Sequence, residues 1–311
     1  MSLNEYPVRA CPGKHAFLSG PDDFSLAAGR AVDSPRMFDP DVSPYCFDLA
    51  KRRLLCVSTP DISGATFFYQ AQRQHARSVI EVPFESLPEA IASPTLIYSI
   101  GRCGSTLLVR ALQAAGVSVV SEPDYFTQAA CHQPPDPSLT RAIAGATRLL
   151  PYSVIKLRLE CNHSPLLIAG AFRSPRIMFI LRHPLDWAAS LRRLSRNSLD
   201  LGWAVGQLRS SLLALDALSG RYGVRIAYYE DFRDLDPDYV ADVLSWIGET
   251  RTVSPEALRT VAARDAQEGT IVSRASVGGV PEDPAFREAF SREWSRQRPA
   301  ELIARLGLNL L

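Results

Sequence analysis

Lysine is nearly absent from this chain. Of 34 cationic side chains only Lys14, Lys51 and Lys156 are lysines, and the rest are arginines. Arginine presents a fixed fork of donors that matches phosphate-like oxygens, whereas lysine is a mobile point charge. Each lysine is therefore an exception to inspect, although compositional bias alone also accounts for the scarcity. Excess charge is missing as well: 34 cations face 33 acids for a net +1. That balance gives no global reason to expect nucleic acid or an anionic membrane surface as partner, so any anion selectivity has to come from local clusters. The six cysteines (Cys11, Cys46, Cys56, Cys103, Cys131 and Cys161) contain no Cys-x-x-Cys pair, which argues against a zinc knuckle or a redox dithiol. No apolar run is long enough to span a bilayer, and the N-terminus has no basic region followed by an apolar stretch. The expectation is a cytoplasmic protein with free thiols and no transmembrane segment.

What is present is length and an ordinary core composition. The chain has 311 residues, 46% of them hydrophobic and 22% charged, enough for one large α/β domain or a domain with a modest extension. Residues 1–90 read as an N-terminal extension with short strands, expected at 53–58, 66–70 and 78–82, where aromatic and β-branched residues cluster. Packing, a homodimer contact or acceptor contacts are the roles open to it. Residues 91–311 read as the main α/β domain. Short apolar runs at 95–100, 117–120, 153–157, 177–181 and 225–229 suit strands buried on both faces of a parallel sheet. Helical patterns lie between them at 105–115, 139–150, 185–196 and 201–218, several ended by Gly or Pro. This alternation predicts a three-layer α/β/α fold with a parallel central sheet and ligands at the carboxyl ends of its strands.

The first strand of that series runs into Gly101-Arg102-Cys103-Gly104-Ser105-Thr106 and then a helix. A glycine turn opening a helix aims free backbone N–H groups, a guanidinium and two hydroxyls at one point, which suits a phosphate or sulfate. The pattern also occurs in turns that merely connect a strand to a helix. A Walker A loop has Lys after its last glycine; here Ser105 follows Gly104, and the only cation is Arg102. The loop is thus built for an anion but not for magnesium and ATP. A second basic site follows the strand ending at Leu181: Arg182 sits at the strand end, and Ser190, eight residues on, faces back from the next helix. An arginine with a hydroxyl is the pair expected for one phosphate monoester. Arg192, Arg193 and Arg196 read as a solvated helix face.

Arg102-Cys103-Gly104-Ser105-Thr106 resembles the 5'-phosphosulfate loop of sulfotransferases that use 3'-phosphoadenosine-5'-phosphosulfate (PAPS), a family with a P-loop NTPase-like fold. Arg182 and Ser190, in their spacing and setting, resemble that family's 3'-phosphate motif, and Tyr228-Tyr229-Glu230-Asp231-Phe232 is similar to the Tyr-Glu-Asp-Leu ending a later strand in many members. The three matches occur in order and span roughly 95–232. The resemblance implies PAPS as co-substrate, no metal, and transfer of a sulfuryl group to a hydroxyl or amine of a small-molecule, carbohydrate or lipid acceptor. In that reading Gly101, Arg102, Cys103, Gly104, Ser105 and Thr106 hold the 5'-phosphosulfate, and Arg182 and Ser190 hold the 3'-phosphate. The chain departs from the family in three places. Cys103 replaces a Ser, as a thiol near the donor or as a small packed residue. The basic Arg-Lys-Gly clamp is missing, with Arg274 and Gly269 as substitutes. The middle strand ends Lys156-Leu157-Arg158 in place of Lys-Thr-His, and Arg cannot act as a base.

Lys156 fits as the cation near the leaving or bridging oxygen, or else snorkels to the surface. Glu122, just after the second strand, is the favoured base, in the manner of the carbohydrate, glycolipid and tyrosylprotein branches; a partly buried Glu can take a proton from an attacking hydroxyl. It is otherwise a cap or an ion-pair partner of Arg102 or Arg158. His163 is the runner-up base. Two rival functions remain open: a P-loop nucleotide-dependent kinase, which lacks a Walker B aspartate here, and a non-catalytic nucleotide-binding protein of the same fold.

Overall fold

The structure is a computed structural model, and it describes residues 2–89, 93–132, 134, 136, 138–195, 198–265 and 283–310. The chain divides into two compact units, Met1–Leu96 with Ser118–Pro175 and Ile97–Val117 with Arg176–Leu311.

The first unit opens with an antiparallel sheet of strands β1 (Ser2–Ala10), β2 (Ser25–Leu26), β3 (Arg30–Asp33), β4 (Val42–Asp48), β5 (Arg53–Ser58) and β6 (Ser78–Pro83). Their order is β2-β1-β6-β5-β4, with β3 also pairing β1. Only β5 and β6 are expected from composition. β4 escapes a propensity reading because Pro44 lies inside it. Proline lacks a ladder donor and is confined to edges and bulges, and Pro44 satisfies both conditions: β4 ends the sheet order, and its register on β5 shifts between Pro44 and Cys46. Phe24, Tyr45, Cys46, Leu55, Val57 and Val79 pack as one buried cluster of this unit.

The strand expected at 66–70 is instead the start of helix α1 (Phe68–His75). Phe68, Gln72 and Arg73 are its buried residues; Phe68 and Gln72, four apart, share one face of the helix, and Arg73 lies about 100° further round it. Gln72 Nε2 donates to Ser43 Oγ (2.8 Å) and to the Pro44 carbonyl (2.9 Å). Packing against β4 overrides the β propensity of Phe-Phe-Tyr.

A five-stranded sheet follows the expected α/β alternation. Its elements begin with β7 (Thr95–Ser99) and α2 (Ser105–Ala114), then β8 (Val119–Ser121), α3 (Asp124–Cys131) and α4 (Leu139–Arg148). Next come β9 (Val154–Lys156), α5 (Pro165–Ala169), β10 (Arg176–Leu181), α6 (Pro184–Leu194), α7 (Leu201–Ser219) and β11 (Val224–Tyr228). The strand order is β11-β10-β7-β9-β8, and β10–β11 and β8–β9 pair in parallel. β10 carries five consecutive buried apolar residues, Ile177 to Leu181, the run a strand needs when both sheet faces are covered. Helices α8 (Tyr229–Phe232), α9 (Pro237–Ile247) and α10 (Pro255–Ala263) follow, and two more span Pro284–Gln297 and Pro299–Arg305.

Two features of this topology prepare sites. In the second unit, Leu181 stands opposite Tyr228 in the β10–β11 register, so Arg182 and Tyr229 leave neighbouring strand ends together. In the first, Ser121 stands opposite Lys156, so Glu122 leaves β8 beside the end of β9.

Candidate functional site

The loop between β7 and α2 belongs to the second unit. Gly101, Arg102 and Gly104 all take positive φ (67°, 49° and 79°), which reverses the chain within a few residues. Arg102 does so as a non-glycine residue, a conformation that persists only when its surroundings impose it. Trp187, buried on α6, donates its indole N–H to the carbonyls of Ile100 (3.2 Å) and Gly101 (2.9 Å) and fixes the start of the turn. Gly104 is the N-cap of α2 and supplies no side-chain acceptor for the helix N–H groups, which leaves a partial positive charge there. Ser105 and Thr106 open the helix, and Cys103 is fully buried as a small packed side chain.

Arginines surround this loop. Arg182 Nη1 donates to the Arg102 carbonyl (3.3 Å), and its guanidinium lies over the Tyr229 ring, 4.5 Å from the centroid. Its Nε is buried and has no hydrogen-bond partner among the described residues. Ser190 is buried, and its Oγ accepts from Arg102 Nε at 3.4 Å. Burial pushes the Arg102 guanidinium below its usual pKa, and the like charges of Arg182 and Arg193 push it further down against the smaller opposing effect of Asp265. The expected solvated face of α6 is therefore divided. Arg193 acts on Arg102, while Arg192 pairs with Asp283 (2.8 Å) and stacks on Phe286 (4.7 Å). Glu230, from the Tyr-Glu-Asp stretch, accepts the backbone N–H of His183 (3.0 Å) and so holds the turn after Arg182. Arg196, Gly269 and Arg274 lie outside the described residues.

The first unit holds the proposed base. Glu122 has φ of 64° and donates its backbone N–H to the Lys156 carbonyl (2.7 Å). Its carboxylate pairs with Lys156 Nζ. Lys156 is buried and does not snorkel; its ammonium lies 6.0 Å from the centre of the Phe67 ring. Beside the pair, the buried Ser121 Oγ has no hydrogen-bond partner among the described residues. The ion-pair partners expected for Glu122 from the sequence are Arg102 and Arg158, and the partner it takes is Lys156. Arg158 instead bonds the fully buried Asp124 at 2.7 Å. His163 is exposed at the end of a short 3₁₀ turn, with its Nδ1 4.0 Å from Cys131 Sγ.

Trp187 and the Asp124–Arg158 pair are absent from the sequence-derived site, and Tyr229 enters it only as part of the Tyr-Glu-Asp stretch. The roles of all of them depend on partners elsewhere in the chain: Trp187 on Ile100 and Gly101, Tyr229 on Arg182, and Asp124 on Arg158.

No family model matches the chain, and no curated protein matches its sequence. Among solved structures it is similar to mouse sulfotransferase SULT7A1 complexed with PAP, at 12% identity and a TM-score of 0.42, over 72% of this chain and 92% of that one. It is also similar to the sulfotransferase from Alicyclobacillus acidocaldarius, at 16% identity and a TM-score of 0.43, over 71% and 98% of the two chains. A third is the sulfotransferase domain from the curacin biosynthetic pathway, at 12% identity and a TM-score of 0.44, over 71% and 100%. All three are sulfotransferases. At these identities and scores the likeness is one of outline alone. Among the described residues, no helix is long and apolar enough to cross a membrane.

Proposed function

We propose that the protein transfers a sulfuryl group from PAPS to an acceptor hydroxyl or amine. The supporting observation is the loop cluster of the second unit. Arg102 feels the like charges of Arg182 and Arg193 more strongly than the opposing charge of Asp265, and Arg182 keeps a buried Nε donor without a partner among the described residues. Concentrated like charge with a spare donor is costly unless an anion completes it. Arg102, Ser105, Thr106 and the N–H groups at the start of α2 are assigned to the 5'-phosphosulfate, and Arg182 with Ser190 to the 3'-phosphate.

The donor supplies an activated sulfur whose leaving group is adenosine 3',5'-bisphosphate. The acceptor oxygen forms its bond to sulfur as the sulfur–oxygen bond to the 5'-phosphate breaks, and the acceptor proton passes to Glu122. Lys156 holds the Glu122 carboxylate in position and compensates its charge in a buried setting. Oriented amides and guanidinium groups stabilise the departing phosphate by pre-organised electrostatics, so magnesium is dispensable.

Adenosine 3',5'-bisphosphate is expected to raise the melting temperature without metal, because it binds the folded state preferentially. No shift with that nucleotide, together with a magnesium-dependent shift with ATP, overturns the reading in favour of a kinase. Glu122→Gln is expected to keep nucleotide binding and lose turnover; retained turnover transfers the base to His163.

A further inference from the structure

Glu122 holds a conformation that its own sequence resists. Its φ of 64° lies in the left-handed region that side chains rarely adopt. Pro123 follows it, and the residue before a proline is pressed towards extended backbone. A residue kept against both preferences is kept there by its surroundings. One side of the turn is fastened by β9: Ser121 stands opposite Lys156, and the Glu122 N–H donates to the Lys156 carbonyl (2.7 Å). The other side is fastened by Asp124.

Asp124 opens α3 and is fully buried. Its Oδ1 accepts from Arg158 Nη1 (2.7 Å) and its Oδ2 from the Ser19 backbone N–H (2.6 Å), with Arg73 Nη2 3.6 Å from Oδ2. Two ion pairs therefore join the same two stretches of chain: Glu122 to Lys156 and, two residues further along each, Asp124 to Arg158. The partners of Asp124 are fixed in turn. Arg158 Nη1 also donates to the Phe17 carbonyl (3.0 Å), and Arg73 donates to the Ala16 carbonyl (2.6 Å), Ser19 Oγ (3.1 Å) and the Tyr45 hydroxyl (2.9 Å). Residues 13–23 are thus fastened through their backbone, while the Phe17 ring is left 63% exposed. An acid in the first turn of a helix suits the helix dipole, but an exposed carboxylate does that equally well. Complete burial among two guanidinium groups is a weak way to stabilise a fold, because desolvation cancels much of what pairing returns. It is a strong constraint on position, because a carboxylate that moves away strands its partners in the interior.

Resting on the reading of Glu122 as base, we propose that Asp124 is a positioning residue for that base. Tied to Arg158, Arg73 and the Ser19 N–H, it holds the Glu122–Pro123 turn in the left-handed conformation that keeps the Glu122 carboxylate on Lys156. Residues 13–23 of the N-terminal region are then an internal support of the turn, reached through Asp124.

The test uses the full chain and PAPS with water as acceptor. The water oxygen bonds to sulfur as the bond to the 5'-phosphate breaks, its proton passes to Glu122, and sulfate and adenosine 3',5'-bisphosphate leave. Asp124→Asn is studied beside Asp124→Asn/Arg158→Gln, which removes both charges so that neither is stranded if the single variant fails to fold. In either, sulfate release is expected to slow roughly 10- to 100-fold at an unchanged KM for PAPS, with the same nucleotide-induced melting shift as the parent. Added to Glu122→Gln, the same changes should slow the residual rate no further, because they act through that one carboxylate. Amide hydrogen exchange gives a readout independent of turnover: protection over 119–126 should fall about tenfold while that over β10 is kept. Sulfate release at the parent rate, protection over 119–126 at the parent level, or an equal slowing in the Glu122→Gln background each overturns the proposal. A parent that releases no sulfate and shows no melting shift with adenosine 3',5'-bisphosphate removes the sulfuryl-transfer reading. The exchange measurement then upholds or overturns the support by Asp124 on its own, so the two failures are distinguishable.

Discussion

Gly104→Ala tests how tightly the loop is built. Gly104 has φ of 79° and ψ of 8°, a left-handed conformation that costs an alanine roughly 1 kcal/mol more than a glycine. Space is the second obstacle. A Cβ placed there would lie 2.7 Å from Tyr229 Cε2, closer still to Cδ2, and 3.3 Å from Phe232 Cε2, whereas carbon atoms rest about 3.5–4.0 Å apart. Tyr229 has little freedom to retreat, because the Arg182 guanidinium covers one face and Phe232 meets it edge-on at 5.7 Å. Overpacking of this kind costs about 1–3 kcal/mol, for a total of roughly 2–4 kcal/mol when the backbone cost is added. Urea unfolding of the parent, Gly104→Ala, Tyr229→Ala and the double variant separates the two parts. Removing the ring should leave only the backbone penalty, so the cycle should show a coupling of about 1–3 kcal/mol. A Gly104→Ala cost below about 0.5 kcal/mol, or one unchanged by Tyr229→Ala, refutes the steric account. Nucleotide affinity should fall in Gly104→Ala, since the displaced ring carries Arg182 with it.

Arg182→Met should abolish the metal-free melting shift with adenosine 3',5'-bisphosphate while leaving the nucleotide-free protein as stable as the parent or more so, because it removes a like charge and an unpartnered buried donor; loss of stability without loss of binding contradicts the assignment. Lys156→Met should destabilise by about 3 kcal/mol by leaving the largely buried Glu122 carboxylate unpaired, and adding Glu122→Gln should recover much of that loss in denaturant midpoints. Trp187→Phe should cost about 1–3 kcal/mol, because two carbonyls at the loop entrance share the one indole donor; an unchanged melting temperature counts against that pinning. Asp41 is held down to about 2, from an ordinary 3.8, chiefly by hydrogen bonding to Arg36 and then by Ser58 against the opposing effect of burial. Its folded pKa is depressed, so its contribution is fully present above about pH 4 and is lost as pH falls through about 2. With 39% of the side chain exposed, the screened contribution is about 1 kcal/mol or less, and Asp41→Asn should remove that share of the acid-dependent loss of stability.

The legible parts of the fold are those whose signal is local. Ile177 to Leu181 is an unbroken apolar run, and β10 forms there; the glycines at 101 and 104 announce a turn, and the chain turns there with positive φ. The illegible parts depend on partners distant in sequence. The stretch Phe67-Phe68-Tyr69 satisfies a strand pattern as well as a helical one, and what selects the helix is Gln72 meeting Ser43 and the Pro44 carbonyl. Pro44 argues against a strand until β4 is seen to be an edge strand with a register shift. Residues 13–23 have no periodicity at all, and they are ordered by Arg73, Asp124 and Arg158.

At the candidate sites the same division holds. Arg102, Ser105, Thr106, Arg182 and Ser190 are readable because a strand end, a glycine turn and a helix start lie within a few residues of each other, and short-range geometry dictates where such groups point. The chain order by itself therefore determines that a glycine turn carrying an arginine and two hydroxyls opens a helix, and that lysine is missing from it. Only the tertiary structure decides that Glu122 is matched to Lys156, that Asp124 is matched to Arg158, and that Phe17 is held exposed. Burying a charge requires a counter-charge at contact distance, and folding, not sequence proximity, brings residues 34 positions apart to that distance.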